Sequence, residues 1–530
     1  MKNQRITKSK FITGTQCQKK LWLDCNKEYK SEVTIPGSTF DIGNKVGTAA
    51  TKLFPGGVML GKEYTQAEAL SKTSELIKDP NTSAIFEAAF SYNETLVRVD
   101  ILERVGDSTW RLIEVKSAKN LAKHHEQDAA FQAWVLRNAG IELSSIEIAH
   151  PNGEYIRETD EIDYAKFIIF DDITSEANSQ IEEIESTLLQ QFKVLESDQA
   201  PVIQPVKRRC SNPYPCDYWS ECTKDKPTDW IQKIYFINAD DVESFAENGI
   251  ESVAQLPKEY SFKGKRKDIQ ETEVKVMGEG KPVFSEHLAD SLSTFGPPAH
   301  YLDFEFTTPA IPLFKDTKSG ELIAFQWSCH FIQSQEDLLS MTIDDMLDLD
   351  DKGPDNFHWE FLAEDANEPS IECARRLLEA VGKDEYPILV HHANAEERSI
   401  KSLANRCPEY RNELLALLPR LRDLLPVVRE NACLPGFFKK PLGLGAGTYS
   451  IKTTANAFNP EFDYANLSDV SQGASATEAY YRLVTGEFTE KETEESLRDA
   501  LLKYCQYDTV AMMVLHKELL KVMKLSDEKG

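Results

Sequence analysis

The pattern of apolar residues changes at the Pro297-Pro298 pair, and this change constrains the fold more than any other feature of the sequence. From residue 300 onward the pattern reads strand, strand, helix, strand, helix, an alternation typical of a mixed α/β domain. Before the pair, helical patterns surround one clear hairpin as far as residue 225, and residues 226–296 are helical and charged. A chain of 530 residues exceeds what one hydrophobic core usually organises. We therefore predict a multidomain α/β protein with domains at 1–225 and 297–530 and a helical connector at 226–296.

Charge and apolar content limit the partners of this chain. No stretch approaches the roughly 18 to 20 consecutive apolar residues of a membrane span, and the basic start of the chain lacks the apolar core of an export signal. We therefore expect a cytoplasmic protein without a membrane partner. The net charge of −27 argues against a protein that binds nucleic acid over most of its surface. Nucleic acid would be bound in local basic grooves, and residues 1–30 and 207–209 are locally basic.

Residues 96–118 predict a β-hairpin, because both arms are rich in β-forming residues and the turn contains Gly-Asp-Ser. If the turn is centred near Asp107, Asp100 and Glu114 lie opposite each other, and Lys116 shares a face with Glu114. Two buried carboxylates are costly unless a divalent cation bridges them, and such a cation can position water and stabilise the charge on a cleaved phosphodiester. The alternative interpretation is an exposed hairpin with surface salt bridges.

The helix predicted after this hairpin places Gln127 and Phe131 one turn apart on the same face. Together with Asp100 and the segment from Glu114 to Lys116, it resembles the PD-(D/E)xK nucleases of the RecB family, which have a restriction-endonuclease-like core. The resemblance implies that the two acids bind Mg²⁺ or Mn²⁺, that the lysine aids the chemistry and that Gln127 supports the site.

One position departs from this family. The family usually carries a metal-binding histidine on an earlier helix, where this chain has Gly47. His124, His125 or Glu87 would have to replace it. A first site that is degenerate is therefore also consistent with the sequence.

Four cysteines have a spacing that predicts a metal site. Cys210, Cys216 and Cys222 form a C-x5-C-x5-C run, and Cys17 lies far upstream. This arrangement resembles the cluster-bearing branch of the same family, AddB and the CRISPR-associated four-cysteine nucleases, although the family's first two cysteines of the trio are closer together. The resemblance implies a 4Fe-4S cluster, and zinc is the alternative, since four thiolates also bind zinc. The other six cysteines are expected to be buried without a metal.

The second domain predicts a cluster of acids drawn from three elements. Asp303 and Glu305 point to one face of a strand, Glu396 lies where a short apolar strand enters a helix, and Tyr504 and Asp508 share a face of a late amphipathic helix. Four carboxylates would repel one another unless divalent metals lay between them. Such a cage suits two-metal hydrolysis of a phosphodiester.

This order of residues resembles the DnaQ-like DEDD exonucleases on an RNase H-like fold, in the variant that carries tyrosine. The resemblance implies that the four acids hold two Mg²⁺ or Mn²⁺ ions, that Tyr504 orients the attacking water and that nucleotides are removed from a 3′ end. The identity of the third acid stays open. The family prefers Asp after Asn, whereas His392 and Glu396 occupy those positions here, and Glu397 and Asp423 are further candidates.

The whole chain resembles a bacterial family that pairs a RecB-like nuclease with a C-terminal domain of formally unknown function. We therefore predict a metal-dependent nuclease with two sites that acts on single-stranded or end-bearing DNA, the C-terminal site as a 3′–5′ exonuclease. A setting in DNA repair or phage defence follows by analogy alone. The alternatives are an RNA exonuclease and a non-catalytic scaffold that binds nucleic acid through degenerate sites.

Overall fold

A computed structural model describes residues 5–26, 37–349, 355–364, 366–382, 384–444, 448–464, 467, 476–488 and 493–527. The chain divides into two compact units, residues 1–219 with 309–321 and residues 220–308 with 322–530. Both contain helices packed on a β-sheet, so the prediction of a mixed α/β multidomain protein is confirmed. The predicted connector belongs to the second unit, and the predicted boundary near residue 297 lies inside that unit.

The first unit combines a long sheet with helices. Its described strands are β1 (Ile6–Thr7), β2 (Val58–Met59), β3 (Ala84–Tyr92), β4 (Thr95–Arg104), β5 (Thr109–Val115), β6 (Glu142–Pro151) and β7 (Ile168–Asp172). Its described helices are α1 (Lys8–Gln16), α2 (Gln18–Cys25), α3 (Gly37–Thr51), α4 (Gln66–Lys78), α5 (Lys123–Asn138), α6 (Tyr164–Phe167), α7 (Thr174–Ser179), α8 (Ile181–Glu196), α9 (Lys207–Ser211) and, across the division between the units, α10 (Trp219–Thr223).

The sheet of the first unit has the order β2-β3-β4-β5-β6-β7. Strands β3, β4 and β5 are antiparallel, and β6 runs parallel to β5 after the α5 crossover. The predicted hairpin is confirmed as β4 and β5, with Ile101 opposite Ile113 and Arg104 opposite Trp110, a register centred on residue 107. Strand β1 pairs in parallel with the start of β4, which brings the beginning of α1 to the hairpin.

Helix α5 lies on this sheet and closes the core of the first unit. Small residues on α5 allow close approach to the sheet, and the Phe131 ring stacks on Phe11 with 4.5 Å between ring centroids. Residues 309–321, predicted as part of the second domain, belong to this unit, where the Asp316 amide donates to the Arg157 carbonyl at 2.7 Å.

The second unit contains the predicted alternation of strands and helices. Its described strands are β8 (Val283–Phe284), β9 (Ala299–Thr307), β10 (Ile323–Ile332), β11 (Phe357–Leu362), β12 (Ile388–Val390), β13 (Leu421–Asp423) and β14 (Ala432–Cys433). Its described helices are α11 (Ala239–Glu247), α12 (Lys267–Glu279), α13 (Leu288–Leu292), α14 (Gln335–Ser340), α15 (Ile343–Leu347), α16 (Ser370–Val381), α17 (Asn394–Arg406), α18 (Arg411–Leu417), α19 (Leu424–Asn431), α20 (Ile451–Phe458), α21 (Ala476–Thr485) and α22 (Glu494–Asp527).

The five-stranded sheet of the second unit has the order β11-β10-β9-β12-β13. Strands β9, β10 and β11 are antiparallel, whereas β12 and β13 run parallel to β9. Helix α22 packs across β9 and β10, and the Tyr301 hydroxyl lies 2.9 Å from His516 Nδ1 in this core. Strand β11 was not predicted, because it follows a strongly acidic segment. Among the described helices, none combines the length and apolar content needed to cross a bilayer.

Candidate functional site

In the first unit, the hairpin brings together the three residues predicted for the first site. The Val115 amide donates to Asp100 Oδ2 at 2.7 Å, and Lys116 Nζ donates to Glu114 Oε1 at 2.6 Å. Glu114 is buried, so the alternative of an exposed, surface-paired hairpin is wrong for this residue. Burial and the nearby Glu114 carboxylate raise the pKa of Asp100 to about 7.

Lys8 is a further member of this cluster that the sequence did not reveal. Its Nζ donates to both Glu114 oxygens, at 2.8 and 3.1 Å, and lies 3.7 Å from Asp100 Oδ1. Burial opposes ionisation of Glu114, but the Lys116 and Lys8 ammonium groups outweigh it and hold the pKa of Glu114 well below its usual range. Two lysines therefore neutralise the acids that were predicted to share a metal.

Helix α5 presents a different pair of residues from the predicted one. Gln132 Nε2 donates to Glu114 Oε2 at 2.6 Å, and Lys116 Nζ also bonds to Asp128. Gln127, the residue predicted to support the site, is half-buried and makes no hydrogen bond to Glu114 in the described part of the chain. The two residues of α5 that face the hairpin are thus each one position later in the sequence than the predicted pair.

The sequence offers three residues in place of the metal-binding histidine that is usual in the RecB family. The surroundings of these three residues differ. Glu87 on β3 has φ 58°, and burial raises its pKa while Lys8 opposes the shift. His125 Nδ1 accepts from the Ala122 amide at 3.3 Å and so caps α5. The His124 ring packs against Tyr214, with 5.3 Å between ring centroids. None of these contacts assigns a metal ligand.

Two of the four predicted cysteine ligands are in contact in the first unit. The Cys210 and Cys216 thiols hydrogen-bond each other, and Cys17 contributes electrostatically to the same group. That hydrogen bond, with burial, raises the pKa of Cys210, and the same bond lowers the pKa of Cys216 to about 7. Cys222 lies on α10, in the part of the chain assigned to the second unit. A cluster or zinc at these thiols stays a prediction.

The other six cysteines follow the expectation with one exception. Five are buried, whereas Cys25 is partly exposed. The buried cysteines are Cys329, Cys373, Cys407, Cys433 and Cys505.

In the second unit, β9 and α22 bring Asp303, Glu305 and Asp508 together. One carboxylate oxygen from each residue lies within 4.8 Å of the others, and no other group of three or more possible metal ligands meets this distance within the described ranges. Asp303 and Glu305 share one face of β9, as the period of two predicted. Asp508 lies on α22, which packs across that strand.

Glu396 is the candidate for the third acid that is buried on α17. It lies in the first turn of α17, is 3% exposed, and its Oε2 atom has no hydrogen-bond partner. Glu397 instead pairs with Lys401 at 2.8 Å on the solvent side of α17. Repulsion from Glu305 and Asp508 helps to raise the pKa of Glu396. Glu396 therefore interacts electrostatically with these two acids.

Asp423, the remaining candidate for the third acid, has a structural role. Its carboxylate accepts from the His392 amide at 2.9 Å and the Ala393 amide at 3.0 Å, and it caps α19 through the Leu425 amide at 2.9 Å. His392 has φ 79°, so Asp423 stabilises a strained turn that leads to Glu396.

Among the described residues, no Lys or Arg forms an ion pair with any of the four acids, although the charge of Lys452 opposes the upward pKa shifts of Glu305 and Asp508. Burial, followed by repulsion from Asp508, raises the pKa of Glu305 to about 8, and burial raises that of Glu396 to about 8. Burial raises the pKa of Asp508 to about 6, although Tyr464 opposes the shift. The pKa of Asp303 is raised well above its usual range by burial and by Asp508. Bound divalent cations would favour the ionised forms.

Polar side chains around this group complete the site. Lys452 Nζ donates to the Tyr504 hydroxyl at 2.8 Å and lies 4.7 Å above the Tyr504 ring. The Tyr464 hydroxyl donates to Asp508, and Cys505 Sγ lies 3.6 Å from Asp303 Oδ2. The sequence predicted Tyr504 here but not Lys452 on α20 or Tyr464 after it, because neither residue belongs to a recognised motif.

Comparison with known proteins gives one match. A family model described as "Domain of unknown function (DUF2779)" matches residues 300–440. The matched segment contains Asp303, Glu305 and Glu396 and ends before Tyr504 and Asp508. No curated protein matches the chain, and no solved structure matches it.

Proposed function

We propose that the second unit is a metal-dependent nuclease that removes nucleotides from the 3′ end of a DNA strand. The observation that carries this proposal is the group formed by Asp303, Glu305 and Asp508, together with the buried Glu396, in which no acid has an ion-pair partner in the described chain. Asp303, Glu305, Glu396 and Asp508 would hold two Mg²⁺ or Mn²⁺ ions, consistent with the oxygen ligands that these hard cations prefer. Bound there, the ions would activate water and stabilise the leaving oxygen of a phosphodiester.

The fold of the second unit supports this proposal. A mixed sheet with an antiparallel β11-β10-β9 arrangement and parallel β12 and β13 is expected of an RNase H-like fold of the DnaQ type. The acids lie on β9, at the start of α17 and on α22. Fold likeness alone does not define an activity, so the argument depends on the acids.

Tyr504 and Lys452 have roles in the proposed reaction. Because Lys452 donates to the Tyr504 oxygen, the hydroxyl proton of Tyr504 is free to donate elsewhere. We propose that this hydroxyl orients the attacking water and that Lys452 holds it in place. The Lys452 charge also favours a phosphate near the acids.

The first unit fits a metal less well. Its antiparallel β3-β4-β5 arrangement, the α5 crossover and parallel β6 are expected of a restriction-endonuclease-like core, as in the RecB family. Lys8 and Lys116, however, already form ion pairs with Asp100, Glu114 and Asp128. A second phosphodiester-hydrolysing site there remains a proposal, and we derive no step through a metal at that site. A 4Fe-4S cluster or zinc bound by the four predicted cysteines is likewise a proposal.

The proposal is tested by cleavage of 5′-labelled single-stranded DNA with Mn²⁺, read as single-nucleotide products on a denaturing gel. A chain carrying Asp100→Asn, which disables the first site, should still give the ladder. Adding Asp303→Asn or Glu396→Gln should reduce the rate at least about a thousandfold, and the double variant should lose little more, because the acids act as one unit.

Glu397→Gln is the matched control for this experiment. It removes the same charge from the adjacent position of α17 and should cleave at the parent rate. Equal ladders from the Glu396→Gln chain and the parent would refute the proposal. A parallel substrate of the same sequence in RNA distinguishes the RNA exonuclease alternative, and binding without cleavage of either polymer would favour the non-catalytic scaffold.

A further inference from the structure

A large cleft lies in the second unit, apart from the acids. Residues around α11, α12 and α19 line this cleft, which has a volume of about 1130 Å³. That volume is slightly larger than most small-molecule sites enclose, roughly 300 to 1,000 Å³. Its lining combines aromatic rings with cations, chiefly Tyr235, Phe236, Tyr260, Lys263, Lys265 and Arg266. We call this feature the aromatic-basic cleft.

The cations of the aromatic-basic cleft are available for an anionic ligand. Lys263, Lys265 and Arg266 are exposed, and within the described ranges none of them forms an ion pair with a carboxylate. Three acids also line the cleft, and two of them have partners. Asp241 accepts from the Tyr260 hydroxyl at 2.8 Å, and Glu430 pairs with Arg429 at 2.6 Å. Such a concentration of unpaired cations in a chain of net charge −27 indicates an anionic ligand.

Phe236 gives the cleft its aromatic character. It is 66% exposed and has φ 44°, a conformation that is costly for a bulky residue. Its exposed ring gains little from burial, so packing does not account for this conformation. The ring lies 4.7 Å from the Tyr235 ring, and the Arg266 guanidinium lies 4.5 Å from its centroid. An exposed ring beside cations is suited to stack a base while the cations contact phosphates.

We propose that the aromatic-basic cleft binds single-stranded nucleic acid, with bases on Phe236 and Tyr235 and phosphates on Lys263, Lys265 and Arg266. This inference rests on the proposed nuclease function and gives it a substrate-holding surface. A strand is favoured over a small anion because stacking rings and several separate cations line one extended space.

The cleft is connected to the acids by two segments of the same unit. The Tyr235 ring lies 5.4 Å from that of Tyr449, and Lys452, three positions further along, bonds to Tyr504. Helix α19 runs from the cap residue Asp423, beside the turn that leads to Glu396, to Arg429 in the lining, about 9 Å at a rise of 1.5 Å per residue. The cleft would therefore hold nucleotides that lie a short distance behind the terminal one.

Fluorescence anisotropy with 5′-labelled oligothymidine tests this inference in the full chain. Asp100→Asn and Asp303→Asn are present throughout, so that neither proposed site cuts the oligonucleotide. The cleft variant is Lys263→Gln/Lys265→Gln/Arg266→Gln. The matched control, Lys258→Gln/Lys275→Gln/Lys281→Gln, changes the charge equally at exposed lysines of the same unit that do not line the cleft.

The cleft variant should bind at least about tenfold more weakly, and the slope of log K against log salt should fall by about 2, since each phosphate contact on a single strand contributes roughly 0.7. The control should bind like the parent. Phe236→Leu should weaken binding about tenfold without changing the salt slope, and Phe236→Tyr should restore it, because stacking needs a ring. Thermal melting of each variant checks that the fold is retained.

Failure of this inference and failure of the proposed function give different results. Equal binding by the cleft variant and the parent, or equal weakening in the cleft and control variants, overturns the cleft as a binding site and leaves the nuclease proposal untouched. Binding that depends on the cleft in a protein that cuts neither DNA nor RNA supports the cleft and overturns the nuclease. A parent that binds no single strand overturns the cleft outright.

Discussion

Each unit of the protein places a cluster of buried and half-buried acids beside a β-sheet, and the two clusters differ in whether a lysine contacts them directly. In the first unit, Lys8 and Lys116 contact the acids directly at 2.5 to 3.7 Å. In the second unit, the ammonium group of Lys452 bonds to Tyr504, and its charge acts on Glu305 and Asp508 without forming an ion pair with them. Burying a carboxylate costs several kcal/mol unless a partner compensates.

This difference shows that paired acids on strands do not by themselves define a metal site. Asp100 with Glu114 and Asp303 with Glu305 are similar motifs in the sequence, since each places two carboxylates on one side of a sheet. Lysine side chains of the protein itself form ion pairs with Asp100 and Glu114. The second pair, with Glu396 and Asp508, requires protons or a cation from outside. The second unit is therefore the stronger candidate for a metal centre.

The largest expected effect that tests this comparison is the pH dependence of stability without metal. The pKa values of Glu305 and Glu396 are raised to about 8 from the ordinary 4.5, so the folded second unit binds more protons than the unfolded chain. The contribution of these two protonated groups to the free energy of unfolding is fully present below pH 4.5. It is lost as the pH rises through about 8. In EDTA, the free energy of unfolding should fall by a few kcal/mol across this range.

Urea-induced unfolding of the full chain, followed by pulsed hydrogen exchange in β9 and α22, measures this effect. Glu305→Gln/Glu396→Gln should flatten the profile and raise stability at pH 8, and Mg²⁺ should do the same for the parent. In the first unit, Glu114 has the opposite sign, because its lowered pKa contributes stability that is lost as pH falls, whereas Asp100, with a pKa raised to about 7, has the same sign as the acids of the second unit. A flat profile for the metal-free parent would contradict the assignment of uncompensated acids.

A smaller effect is expected from Lys8→Met, which removes a cation from the first cluster. Glu114 then keeps one direct ammonium partner, Lys116, whereas Asp100 keeps none among the described residues. The free energy of unfolding of the first unit should therefore fall by about 3 kcal/mol. Mn²⁺ should recover part of this loss in the variant and have little effect on the first unit of the parent. Thermal melting in an Asp303→Asn chain measures both.

Lys10→Met is the matched control for Lys8→Met. Lys10 lies on the same helix, and its Nζ donates to the Arg5 carbonyl at 3.3 Å and not to the acids. Similar losses from the two substitutions would show that helix α1, and not charge compensation, determines the effect.

Sequence patterns predicted those parts of the two sites that are set by local periodicity. The period of two gave the register of Asp100 and Glu114, and the spacing of one helical turn placed Tyr504 and Asp508 on one face. Lys8 and Lys452 could not be predicted in this way, since each reaches its partner only through the tertiary fold. The parallel pairing of β1 with β4 brings Lys8 to residues more than 90 positions away.

The rotation of α5 shows a second limit of local patterns. Amphipathic helices reveal their buried face, but α5 is buried from residue 128 through 136, so its sequence does not fix which side meets the hairpin. Two pairs of residues, Gln127 with Phe131 and Asp128 with Gln132, have the same helical spacing. Either pair could therefore share the face that meets the hairpin. The structure selects the second pair because the Gln132 amide and the Asp128 carboxylate complement Glu114 and Lys116.

The smallest expected effect tests which face of α5 meets the hairpin. It is the difference between Gln132→Leu and Gln127→Leu. Gln132→Leu removes a hydrogen bond to Glu114, but Lys8 and Lys116 still neutralise that carboxylate, and the buried Gln132 Oε1, which has no partner, is removed as well. The free energy of unfolding should therefore fall by about 1 kcal/mol. Gln127→Leu, at a half-buried position without a bond to Glu114, should change it by less than about 0.5 kcal/mol. Urea-induced unfolding at constant pH measures the difference. A larger loss from Gln127→Leu would mean that α5 turns the originally predicted face to Glu114, and the compensation of the first cluster would then depend on the lysines alone.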